Sequence, residues 1–202
     1  MEEIREGSSK LLLIFDVVEI GLVFLILYII IDFIRNRTSN LLKRVIIYSF
    51  VFYILNVIQL TTGGIYIPPQ KEFIPQFQLV PFYFIRDWIS IYQNKGFDWF
   101  FWHSVKLSFY NLIMLFPLGV YISVLFRVKR SLIAILTVFL SSLIIEIYQV
   151  VLAYLGFVGG RTFNIDDLLL NTLGGSAGFL TIMLVTRFFE SNHYWQGKRE
   201  AS

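Results

Sequence analysis

The sequence has no cysteine and only two histidines among its 202 residues. The absence of cysteine excludes disulfide bonds, thiolate metal ligands and a cysteine nucleophile. The chain also lacks an HExxH motif, a phosphate-binding loop and a nucleophile elbow, so nothing in it points to a dedicated metal or nucleotide site. We therefore predict that the protein carries no cofactor and no metal ion.

Charged side chains are scarce as well. They make up 15% of the chain, and hydrophobic residues make up 56%. A soluble domain usually has about 25% charged residues, because its surface must be hydrated. This composition is typical of an integral membrane protein. The formal net charge of +3 arises from lysines and arginines in short loops, so we expect no nucleic-acid partner.

Five apolar segments are long enough to cross a bilayer, which takes about 20 residues of helix. A closed barrel would need shorter segments of alternating polarity, and we find no internal repeat. The sequence therefore predicts an all-α polytopic membrane protein, with residues 1–202 forming a single membrane domain around a bundle of five transmembrane helices. The predicted spans are residues 11–34, 41–60, 103–126, 131–155 and 165–189.

Basic residues crowd two of the short connections between the predicted spans. Residues 35–44 hold four lysines or arginines, and residues 127–130 hold three. Because short loops rich in basic residues stay in the cytoplasm, this pattern predicts an outside N-terminus and a cytoplasmic C-terminus. An odd number of spans agrees with that orientation.

The predicted outer loop, residues 61–102, is rich in aromatic residues and contains three of the four tryptophans. Part of it has apolar side chains at helical spacing, which predicts an interfacial helix with its rings in the headgroup region. A loop folded over the bundle would bury the same rings and is the alternative. The residues of the apolar face are Phe82, Ile85, Trp88, Ile89 and Tyr92.

Polar residues within the predicted spans lie in the outer third of the helices, and the inner two-thirds are almost wholly apolar. A spacing of three or four residues puts the members of each polar pair on one helix face, and Asn111 lies at a similar depth on the third span. The simplest packing turns these faces inward around a polar pocket open to the outer surface, with Arg161 above it. The pairs are Asp16 and Glu19, Asn56 and Gln59, Glu146 and Gln149, and Asp167 and Asn171.

Glu146 is the residue of this layer that is hardest to explain by structure alone. An acid in the bilayer core costs about 2.5–3.5 kcal/mol even on insertion scales, so a purely structural position would favour glutamine. Other members have simpler explanations. Asn164 and Asp166 suit a helix start, and Asn111 and Asn171 suit hydrogen bonds between helices.

Two further features predict how the spans pack. Gly174 and Gly178 form a face of small residues, which in membranes allows the backbones of two helices to approach closely. Pro117 has no backbone N–H to donate, so we expect a kink in the third span.

Four motifs occur in the order and at the intervals found in VanZ-like membrane proteins. Together they cover about residues 60–185, which resemble that family. Its name member is associated with lowered susceptibility to the glycopeptide teicoplanin. The chain departs from the family at Asn164, where an acid is frequent. The motifs are "LVPFYFI" (79–85), "NLIMLFPLG" (111–119), "SLIIEIYQ" (142–149) and "GRTFNIDDLLLNTLGG" (160–175).

The resemblance implies a place in the bacterial cytoplasmic membrane and a role at its outer face. One hypothesis is binding of an envelope ligand, such as a lipid-linked cell-wall precursor or a wall polymer, with membrane lipids as the other partners. The ligand-binding residues would then be Arg161, Gln149, Asn111, Asn171, Glu19 and Asp16.

A second hypothesis is an enzyme in which Glu146 is the general acid or base and Asp167 or Arg161 orients the substrate. An all-carboxylate cation site of Glu19, Glu146 and Asp167 is a further alternative. A transporter is disfavoured, because five spans without a repeat and a dry inner half do not suit alternating access.

The predicted orientation can be tested with single cysteines, because the chain has none of its own. We expect a membrane-impermeant maleimide to label Gln70→Cys in intact cells and to label Asn40→Cys only after the cells are opened. The reverse pattern would contradict the orientation.

Overall fold

A computed structural model of the protein describes the backbone of residues 13–70 and 74–200 and the side chains of these residues up to 190. Five helical segments in it are long and apolar enough to cross a membrane, which confirms the predicted fold class. Residues 11–12 of the predicted first span and 71–73 of the predicted outer loop lie outside the described residues. The helices are α1 (Val17–Asn36), α2 (Leu41–Thr62), α3 (Tyr83–Lys95), α4 (Trp99–Met114), α5 (Phe116–Val124), α6 (Ser131–Tyr154) and α7 (Ile165–Glu200).

The third span consists of two helices, since α4 ends at Met114 and α5 begins at Phe116. Pro117 lies in the first turn of α5, where its missing N–H costs nothing because that donor would have no helical partner. The predicted interruption at Pro117 is confirmed.

Four short strands attach the loop between α2 and α4 to other parts of the chain. Strand β1 (Leu13–Phe15) pairs antiparallel with β2 (Ile65–Ile67), and β3 (Gln76–Gln78) pairs parallel with β4 (Thr162–Asn164). The loop is thereby tied to the segment before α1 and to the segment before α7. We call the end of the bundle that carries these strands and α3 the loop end, and the opposite end the hairpin end.

The core lies where α5 and α6 pack against α7, and glycines set the distance between these helices. A Cβ atom at Gly174 would overlap the carbonyl of Leu112, and one at Gly178 would overlap the carbonyl of Phe116. Side chains larger than hydrogen therefore cannot occupy these positions without separating the helices. The predicted close packing is confirmed.

A polar cluster joins α1 to α2 at the hairpin end. Asp32 accepts hydrogen bonds from Arg44 Nε at 2.5 Å and from the Tyr48 hydroxyl. This part of the spans had been expected to be almost wholly apolar. The cluster is compatible with the bilayer because each charge finds its partner within the same helical hairpin.

The helix predicted within residues 61–102 is present as α3, which packs along α4. Ser104 of α4 donates a hydrogen bond to Asp87 of α3 at 2.8 Å. Ile85, Ile89 and Tyr92 are exposed, which is the arrangement that a helix in the headgroup region needs. Helix α3 therefore has features of both alternatives. One side is folded over the bundle, and the other exposes apolar groups as an interfacial helix would.

Gly174→Ala is expected to lower the stability of the bundle. The added methyl group must displace the Leu112 backbone, and overpacking of this kind costs about 1–3 kcal/mol. Leu173→Ala is the matched control, since Leu173 is an exposed neighbour on the same helix. Melting temperatures in detergent measure the effect. A Gly174→Ala protein as stable as the unmodified one would contradict the close packing.

Candidate functional site

A cavity of about 510 Å³ lies at the loop end of the bundle. Residues of α2, α3, α4, α6 and α7 line it, together with the segment that precedes α7. Six of the eight predicted site residues line this one cavity. They are Asn111, Glu146, Gln149, Arg161, Asp167 and Asn171.

The structure places the other two, Asp16 and Glu19, elsewhere. Asp16 caps α1 by accepting hydrogen bonds from the backbone N–H groups of Val18 (2.8 Å) and Glu19 (3.0 Å). Glu19 is exposed. Both lie at the loop-end start of α1, which packs chiefly against α2 and does not line the cavity.

The all-carboxylate alternative required Glu19 beside Glu146 and Asp167, and the structure does not bring these three together. Among the described residues, no group of three His, Cys, Asp or Glu side chains is placed to hold a metal ion.

Glu146 is buried, with 3% of its surface exposed. Its Oε2 accepts a hydrogen bond from the backbone N–H of Asn164 at 3.1 Å. The side-chain Nδ2 of the same asparagine donates to Asp167 Oδ1 at 3.1 Å. One residue of the segment before α7 therefore holds both carboxylates, which come from two different helices.

The position at which this chain departs from the VanZ-like pattern is thus part of the site. Asn164 also accepts a hydrogen bond through Oδ1 from the backbone N–H of Asp166 at 3.0 Å, as a residue at a helix start does. An aspartate at position 164 could accept that bond but could not donate to Asp167 unless it were protonated. With an amide at position 164, the chain can donate hydrogen bonds to both Glu146 and Asp167 without placing a third carboxylate beside them.

Asn171 is 1% exposed and lines the cavity. Neither its Oδ1 nor its Nδ2 makes a hydrogen bond to a described residue. The hydrogen bond between helices that would explain this asparagine structurally is therefore not made within the described part of the chain. A buried amide without partners is costly, about 1–3 kcal/mol, and both of its polar atoms are available to a bound group.

Gln149 and Arg161 both line the cavity but have different roles. The Nε2 of Gln149 donates to the backbone carbonyl of Thr61 at 2.8 Å, which links α6 to the end of α2. Arg161 makes no ion pair with a described residue, so its guanidinium is available to an anion.

Asp166 was interpreted from the sequence as a helix-start residue, and its main contact was missed. Its two carboxylate oxygens accept hydrogen bonds from the backbone N–H groups of Phe82 (2.6 Å) and Phe84 (2.9 Å). This carboxylate therefore holds the start of α3 beside the cavity. A signal was present, because adjacent acids such as Asp166 and Asp167 cannot face the same side of a helix.

A comparison with protein families finds a match between residues 20–186 and the family model described as VanZ/LLP1. No curated protein and no solved structure matches the chain. The family match begins earlier than the resemblance in the motifs and includes most of α1 and all of α2.

Asp166→Ala is expected to release the start of α3 while the bundle stays folded. Hydrogen bonds to a charged acceptor contribute about 1.5–3 kcal/mol each, so amide hydrogen exchange at residues 82–84 should accelerate about tenfold or more. Asp98→Ala is the control, because Asp98 caps α4 through the backbone N–H of Phe101 at 2.9 Å. It should accelerate exchange at residues 99–101 alone. Unchanged exchange at 82–84 in Asp166→Ala would show that this carboxylate does not hold α3.

Proposed function

The chain belongs to the VanZ/LLP1 family, and from this premise we propose that it binds an envelope ligand in the cavity at the loop end. The ligand is a lipid-linked cell-wall precursor or a wall polymer, and binding alters the susceptibility of the cell to glycopeptides such as teicoplanin. The basic residues of the short connections support a loop end that faces outward from a bacterial cytoplasmic membrane.

The observation that carries the proposal is the Asn171 side chain. It is buried in a transmembrane helix, it faces the cavity, and both of its polar atoms lack a described partner. Native structures pair the large majority of such groups. A ligand with hydrogen-bonding groups would satisfy this amide and would also reach Glu146 in the same cavity.

The groups around Asn171 define what such a ligand must offer. Arg161 suits a phosphate or carboxylate, which a guanidinium binds with charge-assisted hydrogen bonds. Glu146 and Asp167 suit hydroxyl, amide or ammonium donors. Sugar phosphates and short peptides, the building blocks of wall precursors, carry both kinds of group.

Catalysis is the second candidate, and one observation favours it. Glu146 and Asp167 are held through a single residue and line the same cavity, as an acid–base residue and an orienting residue would be. Transport is disfavoured, because Leu115, Ile122 and Val138 fill the bundle from the middle toward the hairpin end.

Glu146→Gln tests the proposed site, because it keeps the size of the side chain but removes its charge. We expect it to abolish the effect of the protein on teicoplanin susceptibility in expressing cells. Membrane abundance and melting temperature should be retained or raised, since a neutral amide costs less to bury.

Glu19→Gln is the matched control. It makes the same chemical change on a glutamate near the loop end of another span that does not line the cavity, and it should behave like the unmodified protein. Equal behaviour of the two variants would contradict the site. An unmodified protein that leaves susceptibility unchanged would contradict the link to glycopeptides.

The same variant separates binding from catalysis. If Glu146 is an acid–base residue, Glu146→Gln should still retain the ligand but leave it chemically unchanged. If Glu146 is a binding residue, the ligand should be lost.

A further inference from the structure

The cavity has an apolar side that the polar site does not explain. Leu60 of α2 and Leu107 and Tyr110 of α4 line it, and all three are also exposed on the outside of the bundle. Within a transmembrane span, an exposed surface faces lipid. Side chains that line a cavity and also face lipid border an opening between the two.

This opening has a closed lower edge. The Tyr53 hydroxyl of α2 donates a hydrogen bond to the Met114 carbonyl of α4 at 2.9 Å. Leu60 lies seven residues beyond Tyr53, and Leu107 lies seven residues before Met114, which is about 10 Å of helix in each case. Both leucines therefore lie nearer the loop end than the contact between Tyr53 and Met114. They form the two sides of the opening, and that contact forms its lower edge.

The two helices make few close backbone contacts with each other. Helix α2 packs against α1 and, less extensively, α6, whereas α4 packs against α3, α5 and α7. A gap is therefore left between α2 and α4 at the depth of the cavity. The loop end closes it from above, because Tyr83 and Asp87 of α3 line the same cavity.

Polarity changes along the cavity from this gap inward. Leu60 and Leu107 stand at the side open to lipid, and Glu146 and Asn171 are buried within the bundle. A ligand that matches both regions has a hydrocarbon part and a compact polar head. A cavity of about 510 Å³ is in the range of about 300–1,000 Å³ that holds a small-molecule head.

We propose that the ligand is an amphiphile that enters sideways from the leaflet at the loop end, between α2 and α4. Its polar head reaches Asn171 and Glu146, and its tail lies between Leu60 and Leu107. This inference rests on the proposed function, because it names the ligand of the same site, and it selects a lipid-linked ligand over a free wall polymer.

Analysis of co-purified lipid tests the inference. The full-length protein is purified from bacterial membranes in mild detergent, and its lipids are compared by mass spectrometry with those of the whole membrane. We expect one lipid class with a polar, hydrogen-bonding head to be enriched about tenfold or more over its share in the membrane.

Leu107→Trp and Leu60→Trp narrow the opening without touching the polar groups. Each should reduce the enrichment about tenfold. Ile113→Trp is the matched control, since Ile113 is an exposed residue of α4 that does not line the cavity, and it should keep the enrichment. Position 60 lies in the last turn of α2, so Leu60→Trp provides a second test if Leu107→Trp prevents folding.

The outcomes distinguish this inference from the proposed function. If no lipid is enriched in the unmodified protein, the ligand is not an amphiphile. This conclusion would hold even if Glu146→Gln still changed teicoplanin susceptibility. Enrichment that Glu146→Gln abolishes but both tryptophan variants retain would overturn sideways entry and leave the site in place. If Ile113→Trp loses as much lipid enrichment as Leu107→Trp, sideways entry would also be overturned, because the loss would not depend on the opening.

Discussion

The contact between the glycine face of α7 and the backbone of the third span is the constraint on which the rest of the structure depends. Gly174 and Gly178 lie against the carbonyls of Leu112 and Phe116. Asp167 and Asn171 continue the same face of α7 toward the loop end, because the spacing of 167, 171, 174 and 178 follows the helical repeat. Close packing in the middle of the bundle thus directs the two polar side chains toward the third span and the cavity.

A second constraint comes from the bilayer, which offers no hydrogen bonds to buried polar groups. Glu146 meets it with the backbone N–H of Asn164, a donor outside its own helix. Because Asn164 also holds Asp167, the segment before α7 brings together the acids of two spans. The segment "GRTFNIDD" therefore does more than begin a helix, since it supplies the donors that allow carboxylates to lie at this depth.

The loop between α2 and α4 completes the site, and hydrogen bonds hold it in place. Asp166 holds the start of α3, Ser104 bonds to Asp87, and two short strand pairs anchor the rest of the loop. The loop therefore closes the end of the cavity, and the proposed opening to lipid lies between α2 and α4. A site built this way would place the polar head and the hydrocarbon tail of the proposed ligand in separate regions.

The sequence by itself determined the number of spans, the break at Pro117 and the position of six cavity residues toward the same end of the bundle. These follow from the thickness of hydrocarbon and from the helical repeat, and both can be read along a single chain. Only the tertiary structure decided which faces meet. Asp16 and Glu19 lie at the start of α1, which packs chiefly against α2 and does not line the cavity. Asp166 accepts hydrogen bonds from backbone N–H groups of a loop more than eighty residues away in the sequence. The proposed opening between α2 and α4 likewise depends on the contacts that those helices make with other partners. Sequence periodicity gives the position of a residue along its own helix and the face on which it lies. Which other helix packs against that face is decided by the packing of all the helices together.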